Sequence, residues 1–486
     1  LAFFTDSIPG QTSILPYILA TVAALVAVWP PAESEIKKAF RPTPRAQRLL
    51  GAAFTLTVVF LLLLIVFITP LVGDSDRLRA VSTAFAGLLT LLLAPAWLML
   101  ANLLLAPIEA RIRRGFVKQA RAVMQAVRPK VIGITGSYGK TTTKNFLRDI
   151  LNGRYKTYAT PKSYNTMMGV SMAINNDLAD DYSIEYFISE MGAYIPGEIA
   201  RLCDLTPPDI GVIIEVGPQH LERFGSLENI AIAKYELIKA VPKDGLGVFN
   251  WDNPYIRDML ARGYPDKRIA VSKTLTPDEA KGQGVRFVAT DVQHGLEGLR
   301  FTLHDTQTGA SEALQTPVVG EHNVVNLLLA AAVAVHEGMT LRDVALRARS
   351  LQPAESRLVR QTTEAGITII NDAYSANPVG VVSALKVLGM HTGGRRVLIT
   401  PGMVELANLH EQENKRLGQI ATQYATDIIL VGAVQTQPIR DGVLSGGFPT
   451  ERLQVVEHLS EAVAWYQQHL RSGDTVLFLN DLPDTY

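Results

Sequence analysis

Gly133-Ile134-Thr135-Gly136-Ser137-Tyr138-Gly139-Lys140-Thr141-Thr142-Thr143 reads as a strand entering a glycine-rich turn and leaving it as a helix. Glycine in such a turn lets backbone N–H groups come close to anionic oxygens. Lys140 then reaches terminal phosphates, and the Thr141 hydroxyl suits Mg²⁺. Val131-Ile132-Gly133-Ile134 is a short apolar run of the kind that forms a buried strand, and Phe146, Leu147, Ile150 and Leu151 recur at helical spacing beyond the turn. The strict G-x-x-x-x-G-K-T pattern has Ile134 at its first glycine. The stretch predicts a phosphate-binding loop for an ATP-like ligand, with Gly136, Ser137, Tyr138, Gly139, Lys140, Thr141 and Thr142 around the phosphates.

Short apolar runs alternate with helical segments on both sides of a proline-bearing linker. Val131–Ile134, Ile184–Ser189, Ile210–Val216 and Gly247–Asn250 are strand candidates before it; Ile367–Ile370, Arg396–Thr400, Asp427–Val431 and Thr475–Leu479 follow it. This is the pattern of α/β units with largely parallel sheets. The predicted fold is a P-loop-type central domain over residues 126–353 and a second, Rossmann-like α/β domain over 354–486. Gln352-Pro353-Ala354 forms the hinge, and Gly320 to His336 a helix rich in Ala and Leu.

The N-terminal quarter is different. Three apolar stretches, Ile14 to Trp29, Leu49 to Val72 and Ala80 to Pro107, lie within residues 1–125. A membrane span takes ~20 apolar residues, so the second and third are long enough and the first is marginal. The expectation is a bundle of about three transmembrane helices. Lys37, Lys38, Arg41, Arg45 and Arg48 lie between the first two; Arg111, Arg113, Arg114, Lys118 and Arg121 follow the third. By the positive-inside rule both clusters face the cytoplasm. That predicts a multi-pass protein of the cytoplasmic (inner) membrane with its α/β domains where ATP is. The basic run from Arg111 to Arg121 suits anionic headgroups or plain solvent equally.

The 486 residues carry 46 Lys and Arg against 46 Asp and Glu, so no global charge points to nucleic acid. A single cysteine, Cys203, excludes a disulfide within the chain. Mean hydropathy is +0.15, with the excess in the N-terminal runs.

Ligands of open parallel sheets sit at the carboxyl ends of the strands. Glu190 closes the run Tyr186-Phe187-Ile188-Ser189, and His220 lies in the loop after the strand candidate that ends at Val216. Both then face the phosphate loop, and Glu190 is a natural Mg²⁺ ligand. Ser226 is placed to cap a helix, with Glu228 in its first turn. Leu227, Ile230, Lys234 and Ile238 then share one face. A lysine on an apolar stripe must be paired, neutralised or able to reach solvent along its stem. Carbamylation by CO₂ would make it an anion with two oxygens.

Taken together, Thr135-Gly136-Ser137-Tyr138-Gly139-Lys140-Thr141-Thr142, Glu190-Met191-Gly192-Ala193, His220-Leu221-Glu222-Arg223-Phe224-Gly225-Ser226 and Ala233-Lys234-Tyr235-Glu236 resemble the Mur ligase family, most of all its D-alanyl-D-alanine-adding branch. The resemblance runs from about residue 130 to 480. It implies that Lys140 and the loop hold ATP and that Thr141 and Glu190 bind one Mg²⁺. It further implies that His220 and a carbamylated Lys234 hold a second Mg²⁺. Asn326, in Gly320-Glu321-His322-Asn323-Val324-Val325-Asn326, corresponds to the adenine partner, and Arg357 to the arginine reaching ATP from the C-terminal domain. Asn371-Asp372-Ala373-Tyr374-Ser375-Ala376-Asn377-Pro378 is similar to a family motif in which Asp372 serves the nucleotide and Tyr374 and Asn377 the substrate. Asn165 resembles a family residue near the γ-phosphate and the acceptor.

The implied reaction is amide formation through an acyl phosphate. The implied partners are a cell-wall precursor, an amino acid or dipeptide, and membrane lipid; an oligomer or membrane-protein partner stays open. Three departures stand out. The apolar runs take the place of the family's UDP-sugar-binding domain, Leu479-Asn480-Asp481 replaces a Lys-Gly-Ser, and Thr400-Pro401-Gly402-Met403-Val404-Glu405-Leu406 only loosely matches Gly-Asp-Met-x-Glu-Leu. Competing readings are a ligase for another lipid-linked envelope acid, a degenerate ligase used as a scaffold, and a membrane ATPase coupled to transport. Against the last, no Asp, Glu, Lys or Arg marks a path inside the apolar cores.

Overall fold

The computed structural model describes residues 42–71, 76–374 and 376–480. They fall in two compact units, Leu1–Gly115 with Asp484–Tyr486, and Phe116–Pro483. The first apolar run, Ile14 to Trp29, lies outside the described residues.

In the first unit a helix spans Pro44–Leu71. Its segment Pro44–Ile68 has a mean hydropathy of 2.8 and is the one described helix long and apolar enough to cross a membrane. Its apolar side chains face outward, Phe54 at 71% exposure among them. Arg48 Nε donates to Glu109 Oε1 at 2.8 Å, and the Phe60 and Trp97 rings pack with centroids 4.6 Å apart. The third run is not one straight helix. It breaks between helices Asp76–Leu92 and Ala94–Val127, bent by 57°. Pro95 stands at the break: it has no N–H to donate, its ring opposes the carbonyl four residues back, and it sits in the first turn of the new helix, where proline is best tolerated, although Pro107 is also held farther along.

The second unit holds two sheets. The larger contains β1 (Lys130–Thr135), β2 (Thr157–Ala159), β3 (Tyr186–Glu190), β4 (Ile210–Ile213), β5 (Leu246–Asn250), β6 (Lys267–Ser272), β7 (Phe287–Gly295), β8 (Gly298–Asp305) and β9 (Ser311–Thr316), in the order β2-β3-β1-β4-β5-β6-β7-β8-β9. Pairing is parallel from β2 to β7 and antiparallel from β7 to β9. Strands buried on both faces must be apolar throughout, and β1 shows why. Ile132 and Ile134 face one core with helices Lys140–Leu151 and Asn323–His336; Val131 faces the other, with helix Leu227–Ala240. The hairpins beyond β6 were not anticipated. They lie outside the βαβ alternation, and half of each strand is polar because one face meets solvent.

The smaller sheet holds β10 (Val359–Thr362), β11 (Thr368–Asp372), β12 (Arg396–Thr400), β13 (Asp427–Val431), β14 (Leu453–Val456) and β15 (Thr475–Leu479), ordered β10-β11-β15-β12-β13-β14. All pairs are parallel except β10–β11. The second strand set therefore forms a Rossmann-like sheet, as the alternation predicts. Helix His410–Tyr424 packs on Gln437–Ser445 through glycine. A Cβ on Gly418 would stand 2.2 Å from the Ile439 carbonyl oxygen.

That contact gives a prediction opposite in sign to helix propensity. Gly418→Ala in a free helix gains ~1 kcal/mol. Here overpacking against backbone outweighs it, and the variant loses about 1–3 kcal/mol, read as a lower thermal midpoint. A gain in stability would contradict the packing.

Candidate active site

Parallel pairing of β1 between β3 and β4 assembles the site. Ile134 pairs with Glu190 and Thr135 with Ile213, so three strands end at one level. The glycine-rich turn leaves β1, Glu190 closes β3, and the segment to His220 leaves β4. Gly139 sits at φ +79, and a Cβ there would lie 2.6 Å from Asn326 Oδ1. Glycine is needed for both reasons. Helix Lys140–Leu151 starts at once, so its unpaired N–H groups and positive end border the turn.

Two adjoining cavities open here. The larger, ≈ 610 Å³, is bordered by Lys140, Thr141, Asn165, Glu190, His220, Lys234 and Tyr374. The smaller, ≈ 270 Å³, is bordered by Gly139, Thr142, Asn326 and Asp372. Tyr138, Arg357 and Asn377 border both. Of the catalytic, nucleotide, metal and substrate candidates named from the sequence, only Gly136 and Ser137 border neither. Ser137 turns inward: its Oγ donates to the Gly217 carbonyl at 2.9 Å and accepts from the Gly217 N–H at 3.0 Å. Asn326 supports the loop, accepting from Thr143 Oγ1 at 3.2 Å and donating to Asn323 Oδ1 at 2.9 Å.

Lys140 Nζ rests on the carbonyls of Gly136 at 2.6 Å and Ser137 at 3.1 Å and on Gln219 Oε1 at 3.3 Å. Burial lowers its pKa to about 8; Glu190 opposes the shift and Arg357 adds to it. Lys234 is 3% exposed, so its head does not snorkel to solvent. Burial first, and then the nearby Lys140 charge, push it well below the ordinary lysine value. Arg357 stacks on Tyr374 with its guanidinium carbon 4.5 Å from the ring centroid. Among the described residues, Lys140, Lys234 and Arg357 have no carboxylate within ion-pairing distance. The charges of Lys140 and Arg357, unpaired at one cleft, are costly unless a polyanion enters it.

Glu190 is 1% exposed. Its Oε2 accepts from Lys144 Nζ at 3.0 Å and its Oε1 from Asn165 Nδ2 at 3.1 Å. Burial alone would raise its pKa; the Lys144 and Lys140 charges and both hydrogen bonds outweigh that, and the carboxyl lies below its ordinary value. His220 Nδ1 bonds Glu405 Oε2. Burial, with Lys140 and Lys234, holds its pKa below the ordinary value against the pull of Glu405. In the smaller cavity burial raises Asp372 to about 6 and Glu215 to about 7. Asp372 Oδ1 accepts from the Leu358 N–H at 3.1 Å.

Three residues were missed. Lys144 stands one helical turn after Lys140, a spacing that places both on one face. Glu215 interrupts the apolar run Ile213-Ile214-Glu215-Val216, an anomaly that marks it. Glu405 lies in the loosely matched Thr400–Leu406 segment, where spacing alone gives no sign of its partner.

The donors fit Mg²⁺ on one condition. Among the described residues no three His, Cys, Asp or Glu side chains form a metal cage. Mg²⁺ is commonly held by one or two carboxylates together with substrate phosphates and water. Glu190 and the Thr141 hydroxyl fit that arrangement, and His220 adds a weaker ligand. Lys234 fits only as a carbamate, since its amine offers one nitrogen and no oxygen.

Comparison with known proteins agrees with this geometry. Residues 134–334 match the Mur ligase middle domain and residues 356–480 the domain described as "Mur ligase, glutamate ligase domain". The chain is 33% identical over 376 residues to the UDP-N-acetylmuramoyl-tripeptide–D-alanyl-D-alanine ligase of Mycobacterium leprae, covering 71% of this chain and 70% of that one. It is 30% identical over 355 residues to the Escherichia coli enzyme of the same name, covering 73% and 76%. The crystal structure of MurF from Acinetobacter baumannii superposes with a TM-score of 0.64 at 26% identity, covering 76% of this chain and 77% of that one.

The Lys144–Glu190 pair is the testable feature of the cleft floor. Lys144→Met leaves a buried carboxylate unpaired and costs about 3–5 kcal/mol, seen as a lower thermal midpoint. Adding Glu190→Gln restores most of the loss. A single variant as stable as the parent would contradict the pairing.

Proposed function

The chain belongs to the Mur ligase family, and we propose on that premise that it is an ATP-dependent ligase joining a D-alanyl-D-alanine-like amine to a peptidoglycan precursor. The observation that carries this reading is the cleft itself. Lys140 and Arg357, two cationic groups without a carboxylate partner, border it beside the ionised Glu190, at the positive end of a helix. That arrangement suits a triphosphate and a second anion, the carboxylate to be activated.

The acid oxygen attacks the γ-phosphorus, ADP leaves, and an acyl phosphate forms. The amine nitrogen then attacks the acyl carbon, phosphate departs with the acid's oxygen, and the nitrogen loses a proton. The glycine-rich turn and the N–H groups after Lys140 hold the phosphates. Lys140 exchanges its carbonyl partners for phosphate oxygens, where its charge meets the charge that develops during transfer. Arg357, bordering both cavities, spans base and phosphates. Asn165 orients Glu190 and borders the acceptor side with Tyr374 and Asn377. Thr141, Glu190 and His220 are the residues that would hold two Mg²⁺, which when bound neutralise phosphate oxygens. Lys234 is proposed to join them as a carbamate. Burial and the Lys140 charge hold Lys234 well below its ordinary pKa, which favours the uncharged amine, the form that adds to CO₂ with loss of a proton.

The relatives' names specify a UDP-linked acid, and that is the first carrier to test. A lipid-linked acid is the second, favoured by the exposed apolar helix Pro44–Ile68. We place the protein at the cytoplasmic membrane with its α/β domains in the cytoplasm, on the strength of that helix and the flanking arginines.

Phosphate release by detergent-purified protein with ATP and Mg²⁺ is expected to need both acid and amine, tested with UDP-linked and lipid-linked tripeptide in parallel. Lys234→Ala is expected to lower kcat by ~10²-fold or more, in line with the loss of one transition-state contact, at an unchanged thermal midpoint. Release with ATP alone, indifferent to acid, amine and Lys234, would favour the membrane ATPase instead.

A further inference from the structure

Two loops from different sheets meet across the larger cleft. His220 follows β4 and Glu405 follows β12, and Glu405 Oε2 is hydrogen-bonded to His220 Nδ1. Their side chains are 23% and 24% exposed, so the contact is sheltered. Both residues have left-handed backbone, at φ 55 and φ 60. Residues with a Cβ avoid that region, so each loop holds an unfavourable conformation, and the two side chains meet as a result. Tyr194 packs on the imidazole with ring centroids 4.6 Å apart, and the Arg223 guanidinium caps Tyr194 at 4.5 Å. The ring is thus held at its face by the central domain and at its edge by the C-terminal one.

The chemistry of the pair is specific. A neutral imidazole has one N–H and one bare nitrogen, and an ionised carboxylate only accepts. Glu405 therefore selects the form with hydrogen on Nδ1 and leaves the Nε2 lone pair available. We propose that Glu405 is a positioning residue for the ligase reaction: it sets the tautomer of His220, and does so only when the sheet that carries it has closed on the central domain. The proposal rests on the reading of His220 given above. Its consequence is that the imidazole becomes a competent ligand or acceptor at Nε2 only after the second domain has arrived. Phosphoryl transfer is thereby tied to closure, and an acyl phosphate does not form in an open, wet cleft. The same logic governs histidines whose second nitrogen is fixed by a carboxylate.

The test compares full-length parent, Glu405→Gln and Glu405→Met, labelled with ¹⁵N-histidine, with His220 signals identified by their loss in His220→Gln. Both Glu405 variants keep the side chain's length, and Gln also keeps its shape, so at least one is expected to fold. Parent protein is expected to show the Nδ1–H form. Met is expected to shift His220 toward the Nε2–H form, and Gln to give a mixture. kcat for amide formation falls ~10–100-fold in both. A merely structural tie would lower the thermal midpoint and leave the tautomer unmoved. An unchanged tautomer and kcat in a folded variant overturns the proposal. A parent that makes no amide overturns the ligase reading instead, and the ¹⁵N comparison still decides the role of Glu405.

Discussion

Everything at the site depends on three parallel strands ending together. β1 lies between β3 and β4 with Ile134 opposite Glu190 and Thr135 opposite Ile213. Parallel register is fixed by burial on both faces, because a one-residue slip would exchange the two cores. Ile132 and Ile134 on one side and Val131 on the other leave no room for such a slip. The order of the strands then delivers a phosphate turn, a carboxylate and a histidine loop to one crevice, at the point where strand order reverses. The C-terminal sheet repeats the device. β11, β15 and β12 are neighbours, and their carboxyl ends lead to Asp372, Asn480 and the loop of Glu405. Asn480 ties two of these ends, donating to the Gly402 carbonyl at 2.6 Å and accepting from the Ala376 N–H at 3.2 Å.

Charge is arranged around that frame with a consistent logic. Glu190 at the cleft is paired, accepting from Lys144 on one oxygen and from Asn165 on the other. The cationic groups facing the cavity are not satisfied, and Lys140 makes do with carbonyls. Burial then lowers Lys140 and Lys234 while Glu190 stays ionised. An incoming polyanion reverses the desolvation cost that the protein carries without it. Between the two sheets, apolar contact, with Val319 in the C-terminal core and Ala407 and Leu409 against the central one, is joined by an ionic bridge. Glu321 takes Lys273 on one oxygen at 3.0 Å and Lys386 of the C-terminal part on the other at 3.2 Å. Its carboxyl is held at about 2 by those lysines. Partly exposed pairs of this kind contribute little stability each, which suits an interface that must open and close.

Much of this was legible in the sequence, for identifiable reasons. Continuous apolar runs marked β1, β5, β12, β13 and β15 because those strands are buried on both faces. The Ser226 cap and the placement of Lys234 on an apolar stripe followed from helical period alone, and Ser226 Oγ does accept from the Asn229 N–H. The hairpins β7 to β9 escaped notice because no helix separates them and they fall outside the βαβ pattern, although Leu299, Phe301 and Leu303 alternate with polar residues along β8. Lys144 was hidden by its ordinary place in a polar-looking turn of helix. Glu405 was hidden because its partner lies 185 residues away, and no local pattern encodes such a contact. The third apolar run read as one span, while the helix breaks beside Pro95, a reminder that hydropathy counts residues and ignores backbone donors.

The claim at the centre is that the carboxylate is activated by taking the γ-phosphoryl group of ATP. Supplying the acid substrate with ¹⁸O in its carboxylate and measuring the released phosphate by mass spectrometry tests it directly. The account predicts one ¹⁸O in each phosphate, because the acid's own oxygen leaves with phosphorus when the amide forms. Phosphate without ¹⁸O, its fourth oxygen drawn from solvent and ATP consumed all the same, would mean that water is the nucleophile and would contradict it.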